Sequence, residues 1–148
     1  MIRMRRLFCC LLASGFGSLV VTACSPGHAE SENTSMTKPY RLSADQIRPL
    51  ATGRGGAIAS DRITVDGRLV GYMYRTTPRS SQDSGWAFLA GDESEEYMGN
   101  PKNHNIYDVN TIANYDPQII PLLDAPIGSA YIRTASGLVH DPQGAPEE

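Results

Sequence analysis

Ile58-Ala59-Ser60-Asp61-Arg62-Ile63-Thr64-Val65-Asp66-Gly67-Arg68-Leu69-Val70-Gly71-Tyr72-Met73-Tyr74-Arg75 is the stretch that decides the fold class. It is rich in β-branched and aromatic residues, which suit a half-buried pleated strand. Asp66-Gly67 lies between Ile63-Thr64-Val65 and Arg68-Leu69-Val70. A two-residue hairpin turn needs positive φ, which glycine adopts at little cost, so the spacing predicts a β-hairpin closing at this pair. The second arm runs on to Arg75 and sets Tyr72 and Tyr74 on one face. There they either pack into a core or present an anchor to a partner.

Downstream, Thr76 to Ser84 is a polar loop, and Trp86-Ala87-Phe88-Leu89-Ala90 reads as a buried strand. Trp86 and Phe88 share one face of it, with core packing as the first reading and an exposed anchor as the second. A loop through Asn100-Pro101-Lys102-Asn103 leads to Asp108, a suitable N-cap for a helix over Val109 to Tyr115. Asp116-Pro117 starts another short helix, which Pro121 keeps brief or 3₁₀-like. Ser129 to Thr134 is a last strand, turning at Ser136-Gly137 into Leu138-Val139. Upstream, Ser43-Ala44-Asp45-Gln46 fits a capping box for a short helix stopped by Pro49, and Gly53-Arg54-Gly55-Gly56 is a flexible joint into the first strand. The sum is an α+β domain, a small, mainly antiparallel sheet with two or three short helices.

The N-terminus carries an address. Arg3, Arg5 and Arg6 precede a mostly apolar run from Leu7 to Val20, and Val21-Thr22-Ala23-Cys24 has the small-residue approach of a lipobox. Residues 1–23 therefore read as a lipoprotein signal peptide, with Cys24 as the lipid anchor. The run is too short and too diluted by Ser14, Gly15, Gly17 and Ser18 for a membrane span. Residues 24–38 read as anchor and flexible tether, a spacer on the order of 20 Å. The domain is expected over 39–140, and 141–148, with Pro142, Gly144 and Pro146, as a disordered tail. Ser25 after Cys24, rather than aspartate, resembles the signal for onward transport to the outer membrane, facing the periplasm.

Removing residues 1–23 takes three of thirteen basic residues and leaves ten against sixteen acidic ones, a formal charge of −6. An acidic domain is a poor ligand for a phosphate backbone, so nucleic acid is not an expected partner. Cys9 and Cys10 leave with the signal and Cys24 is consumed by lipid, so no disulfide is expected.

The densest chemical signal is Asp92-Glu93-Ser94-Glu95-Glu96-Tyr97, four carboxylates within five positions. Such a field docks a basic partner, holds a hard cation, or stays solvated. A calcium loop would need glycine where Tyr97 stands and a glutamate at its twelfth position, and has neither. Asp92, Glu93, Glu95, Glu96 and Tyr97 are thus the candidate partner-binding residues. His28, His104 and His140 show no metal-ligand spacing, and no cofactor or metal is expected. A Ser-His-Asp site from Ser60 or Ser84 with His104 lacks a nucleophile elbow. Gly53-Arg54-Gly55-Gly56 lacks the Lys-Ser/Thr of a phosphate loop and precedes a strand. No catalytic residues are expected.

Ser60-Asp61-Arg62, Gly71-Tyr72-Met73-Tyr74-Arg75, Ser84-Gly85-Trp86 and Gly91-Asp92-Glu93-Ser94-Glu95-Glu96-Tyr97 resemble, in that order, a bacterial domain family of unknown function. The likeness continues through Asn110-Thr111-Ile112-Ala113-Asn114-Tyr115-Asp116-Pro117 and Ile120-Pro121-Leu122-Leu123 to Gly128-Ser129. The family is grouped with immunity proteins of polymorphic toxin systems as immunity protein family 33. The resemblance implies a non-enzymatic protein that neutralises a cognate toxin by protein–protein contact, and the lipobox, a departure from the plain, unexported form of the family, sets that role in the envelope. The alternative is an accessory envelope lipoprotein that binds a housekeeping partner or small ligand.

Overall fold

The apolar alternation of Trp86 and Phe88 places both on one face of a strand, 3 % and 0 % exposed, and the rest of the fold is assembled against them. The structure, a computed structural model, describes residues 38–147. The signal peptide, Cys24 and the tether up to residue 37 lie outside the described residues. Six strands form one sheet: β1 (Gly56–Ser60), β2 (Tyr72–Arg75), β3 (Asp83–Leu89), β4 (His104–Asp108), β5 (Ala130–Thr134) and β6 (Gly137–His140). Their order is β4-β1-β3-β2-β5-β6. Three short helices accompany them, α1 (Asp61–Thr64), α2 (Glu95–Met98) and α3 (Val109–Tyr115), with 3₁₀ turns at Ala44–Gln46, Pro101–Asn103 and Pro117–Leu122.

The α+β class holds, but the sheet is mixed rather than mainly antiparallel, because the central pair β1–β3 runs parallel. The cause lies in the stretch expected to form a hairpin. Ser60 caps a helix there, its hydroxyl accepting the Arg62 amide at 3.2 Å, and Ile63 and Thr64 of α1 are buried. Asp66-Gly67 ends this helix instead of joining two strands. Gly67 has φ +74°, and its amide returns to the Ile63 carbonyl at 3.1 Å. The left-handed residue that a hairpin needs is also what a helix terminus needs, and here the helix uses it. The chain is carried past β1, and β3 inserts between the two segments that the hairpin would have paired.

One sheet face bears the core. Ala57, Ala59, Met73, Trp86 and Phe88 point to it and meet Ile63, Val70, Val109, Ile112, Ala113, Ile119 and Leu123. The helices form as their sequences suggest. Asp108 caps α3 by accepting the Asn110 amide at 2.7 Å, and Asp116 accepts the Gln118 amide at 3.1 Å to open the Pro117–Leu122 turn. Gln46 Oε1 accepts the Ser43 amide at 2.9 Å, the reciprocal half of a capping box. Trp86 donates its indole N–H to the Leu123 carbonyl, so the largest core side chain leaves no polar atom unsatisfied. Gly85, at φ +75°, lets β3 pass the preceding loop. A Cβ there would sit 2.2 Å from the Thr76 carbonyl oxygen.

Asp116, 1 % exposed, ties the layers together. Its carboxylate accepts the Val70 amide at 3.0 Å and pairs with the Arg133 guanidinium. Arg133 also donates to the Val70 carbonyl and to Gln118 Oε1. A buried carboxylate needs this full set of donors to offset its lost hydration. Beyond β6, residues 141–147, read from their Pro and Gly content as a disordered tail, make backbone hydrogen bonds to the domain. The Asp141 amide reaches the Ala130 carbonyl at 2.8 Å and that of Ala145 reaches Gly128 at 2.9 Å.

Candidate functional site

The acidic loop after β3 divides into an inward and an outward half. Asp92 is held by Arg68 at 2.9 Å and Arg62 at 3.6 Å. Glu93 folds back and accepts the Ala90 and Gly91 amides, each at 2.8 Å. Burial opposes the charge on Glu93, but the Ser60 hydroxyl and these amides outweigh it and hold its carboxyl below the usual range. Ser94 caps α2 by accepting the Tyr97 amide at 3.2 Å. Tyr97 is fixed as well. The Arg62 guanidinium lies 5.0 Å from its ring centre, and Asn103 donates to its carbonyl at 2.9 Å. Only Glu95 and Glu96 are exposed and without an ion-pair partner among the described residues. Of the five candidate partner-binding residues, Asp92, Glu93 and Tyr97 thus shape the loop, and Glu95 and Glu96 project its charge outward.

Of the nucleophile and histidine candidates, Ser60 and His104 are register partners on β1 and β4, and His104 Nε2 is buried without a hydrogen-bond partner among the described residues. Ser60 is buried in the α1 cap, and the Ser84 hydroxyl donates to the Gly56 carbonyl at 2.6 Å. His104 stands edge-on to Tyr97, and His140 edge-on to Tyr131. Among the described residues no group of three or more His, Cys, Asp or Glu side chains is arranged to hold a metal. No helix of the described residues is long and apolar enough to cross a membrane.

The larger feature is the sheet face opposite the core, and the sequence reading passed over it apart from the two tyrosines. Strand alternation sends every second residue there. The registers align them in two rows. Ile106, Ile58, Ala87, Tyr74 and Ala130 run from β4 to β5. Leu89, Tyr72, Ile132 and Val139 run from β3 to β6. Ile106 is 73 %, Ile132 40 % and Val139 37 % exposed. Tyr72 and Tyr74 pack against each other at 5.5 Å, on the face away from Trp86 and Phe88. The Tyr72 hydroxyl is raised above its ordinary pKa, first by burial and then by the charges of Asp141 and Tyr74.

Two depressions flank these rows. A groove of about 620 Å³ at the β4 end is lined by Ile58 and Ile106 with Gly56, Arg79, Asp83 and Asp108. A second, of about 440 Å³, is lined by Tyr72, Leu89, Ile132 and Met98 of α2, with Glu93 and Arg133. Asp83 is partly buried, yet the Arg79 and Gly85 amides and the Arg79 charge keep its carboxyl low. The overlooked signal is in the strands themselves. Tyr72-Met73-Tyr74 and Ala130-Tyr131-Ile132 are apolar at both parities, whereas a strand with one wet face alternates with polar residues.

No curated protein and no solved structure matches the chain. The family model described as the Immunity protein Imm33 domain matches residues 57–141, more than half of the 148-residue chain. That span begins in β1 and ends just beyond β6, so it takes in the whole sheet, the acidic loop and the Asp116–Arg133 pin. The chain belongs to the Imm33 immunity protein family.

Proposed function

We propose that the protein is an envelope lipoprotein, anchored through Cys24 at the outer membrane and facing the periplasm, that neutralises a cognate toxin by direct contact. The family match across all six strands carries this reading. An inhibitor of this kind needs a rigid surface of complementary charge and no reacting groups. The anchor rests on the lipobox at Cys24 and the basic n-region before it. Two or more acyl chains give stable membrane attachment, which suits a defence against a toxin delivered to the periplasm.

Co-expression tests it. The full-length chain is produced with a candidate toxin domain exported to the periplasm, taken from a secreted effector where one is found encoded beside it, and survivors are counted. Protection by several orders of magnitude is expected. Cys24→Ala should release the domain or block signal processing and weaken protection. No protection, together with an envelope defect on deletion in the absence of toxin, would move the assignment to an accessory lipoprotein.

A further inference from the structure

We infer that the uncovered sheet face with its acidic rim is the toxin-docking surface, and that the toxin meets it with an apolar patch ringed by lysine and arginine. The inference rests on the immunity reading and adds to it the surface and the chemistry of the partner. Exposed apolar side chains scattered singly are ordinary on a soluble protein, but a contiguous patch marks an interaction site. Here Ile132 and Val139 are register neighbours beside the half-buried Tyr72 and Leu89, and Ile106 stands at the far edge across Ile58, Tyr74 and the buried Ala87 and Ala130. The two rows formed by strand register cross all six strands between them, and Met98 of α2 extends the patch at one end. Aromatic side chains at its centre, Tyr72 and Tyr74, bring large contact area at low entropic cost.

The charge around the face decides the occupant. Its cations among the described residues are already engaged, Arg79 by Asp83 at 3.6 Å, Arg133 by the buried Asp116, and Arg68 beside the second depression by Asp92 at 2.9 Å. Asp108 at the first groove and Asp141, whose charge reaches Tyr72, have no ion-pair partner among the described residues. Glu93 lines the second depression, and the exposed Glu95 opens the same α2 helix that Met98 closes at its edge. The rim is therefore net negative. The helix-covered side carries both signs, with Arg41 beside Gly67 and Arg48 against α3, near Asp45 and Asp66. A second copy of this chain on the same face would bring like-charged rims together, whereas a basic partner is both steered and held. The outward half of the acidic loop then guides the encounter while the apolar rows provide the contact.

The test uses the full-length chain in detergent micelles, with the purified toxin domain against which it protects in the survival assay as the probe. Ile132→Arg and Ile106→Arg are expected to weaken binding by about 100-fold or more and abolish protection. Ile132→Glu should weaken it less than Ile132→Arg, because the added charge then attracts the partner. Glu95→Lys with Asp141→Lys should cost about 10-fold at low salt, a loss that shrinks at high salt. Arg48→Glu, on the covered side, should bind within about twofold of the parent. If Ile132→Arg lowers the melting temperature, Val139→Arg on the edge strand replaces it. Protection and binding unchanged in Ile132→Arg, Ile106→Arg and Val139→Arg, with the parent protecting, would overturn the docking surface and leave immunity intact. So would loss of self-association in those variants with toxin binding unchanged, which would give the face to a second copy. A parent chain that does not protect would sink both readings.

Discussion

The two faces of one sheet are built from the same kinds of residue and meet different ends. On the covered face Met73 and Phe88 are fully buried, under α1, α3 and the Pro117–Leu122 turn. On the open face their strand neighbours Tyr72, Tyr74 and Leu89 are only half buried, and Ile106 and Ile132 are exposed. Apolar surface in water is unfavourable by roughly 25 cal/mol per Å² wherever it lies. The difference teaches that apolar content records how much surface is to be covered, and topology records how much the chain covers itself.

The widest gap between the faces should appear in unfolding. Phe88→Ala empties a fully buried site and is expected to cost about 3–5 kcal/mol, read as a lower denaturant midpoint at unchanged slope. Ile132→Ala removes a side chain already 40 % exposed and should cost no more than about 1 kcal/mol. Equal losses would mean that the open face is part of the folding core and would break the comparison.

A polar test of the same kind lies at the Asp116–Arg133 pin. Arg133→Met leaves the Asp116 carboxylate buried with two amides and no cation. Breaking a buried pair from one side costs about 3–5 kcal/mol. Asp116→Asn with Arg133→Met should recover part of that loss, and failure to do so would show that the pin works through packing alone. Gly85→Ala comes next. Its φ of +75° and the Thr76 oxygen 2.2 Å from the new Cβ force a backbone shift in the central strand. A cost of about 2–3 kcal/mol is expected, and a neutral result would mean that β3 relaxes there freely.

These tests also mark what was legible in the chain. The caps at Asp108 and Asp116, the buried Trp86 strand and the turn at Ser136-Gly137 were readable because each depends on a few adjacent residues. The mixed sheet was not. Asp66-Gly67 satisfies a hairpin and a helix terminus alike, and the choice fell to long-range burial of Ile63 beneath Val109 and Ile112. β4 was hidden for a related reason. His104-Asn105-Ile106-Tyr107-Asp108 has one apolar pair between polar flanks, and its strand character comes from pairing with β1. In the acidic loop the composition pointed to four equivalent carboxylates. Arg62, Arg68 and the Ala90 and Gly91 amides, brought in by the fold, sort them into two that are held and two without an ion-pair partner among the described residues.

That sorting gives the smallest effect and the finest test, because it compares neighbours on one loop. Glu93 has its folded pKa below the unfolded value. A depressed carboxyl binds fewer protons folded than unfolded, so it stabilises the fold above its unfolded pKa. The contribution is lost as pH falls through the folded value. Glu93→Gln should therefore lower stability at neutral pH by about 1 kcal/mol or less, the half-exposed carboxyl being screened, and flatten the fall in stability below about pH 4.5. Glu96→Gln, an exposed carboxylate three residues away with no ion-pair partner among the described residues, is the charge-matched control. Melting curves across pH 2.5–7 compare Glu93→Gln with the parent and the control, and a parent-like acid limb in Glu93→Gln would mean that the Ala90 and Gly91 amides do not hold its charge. A variant that flattens the acid limb yet still protects against toxin would place Glu93 in the architecture of the loop and leave recognition to Glu95 and the sheet face beside it.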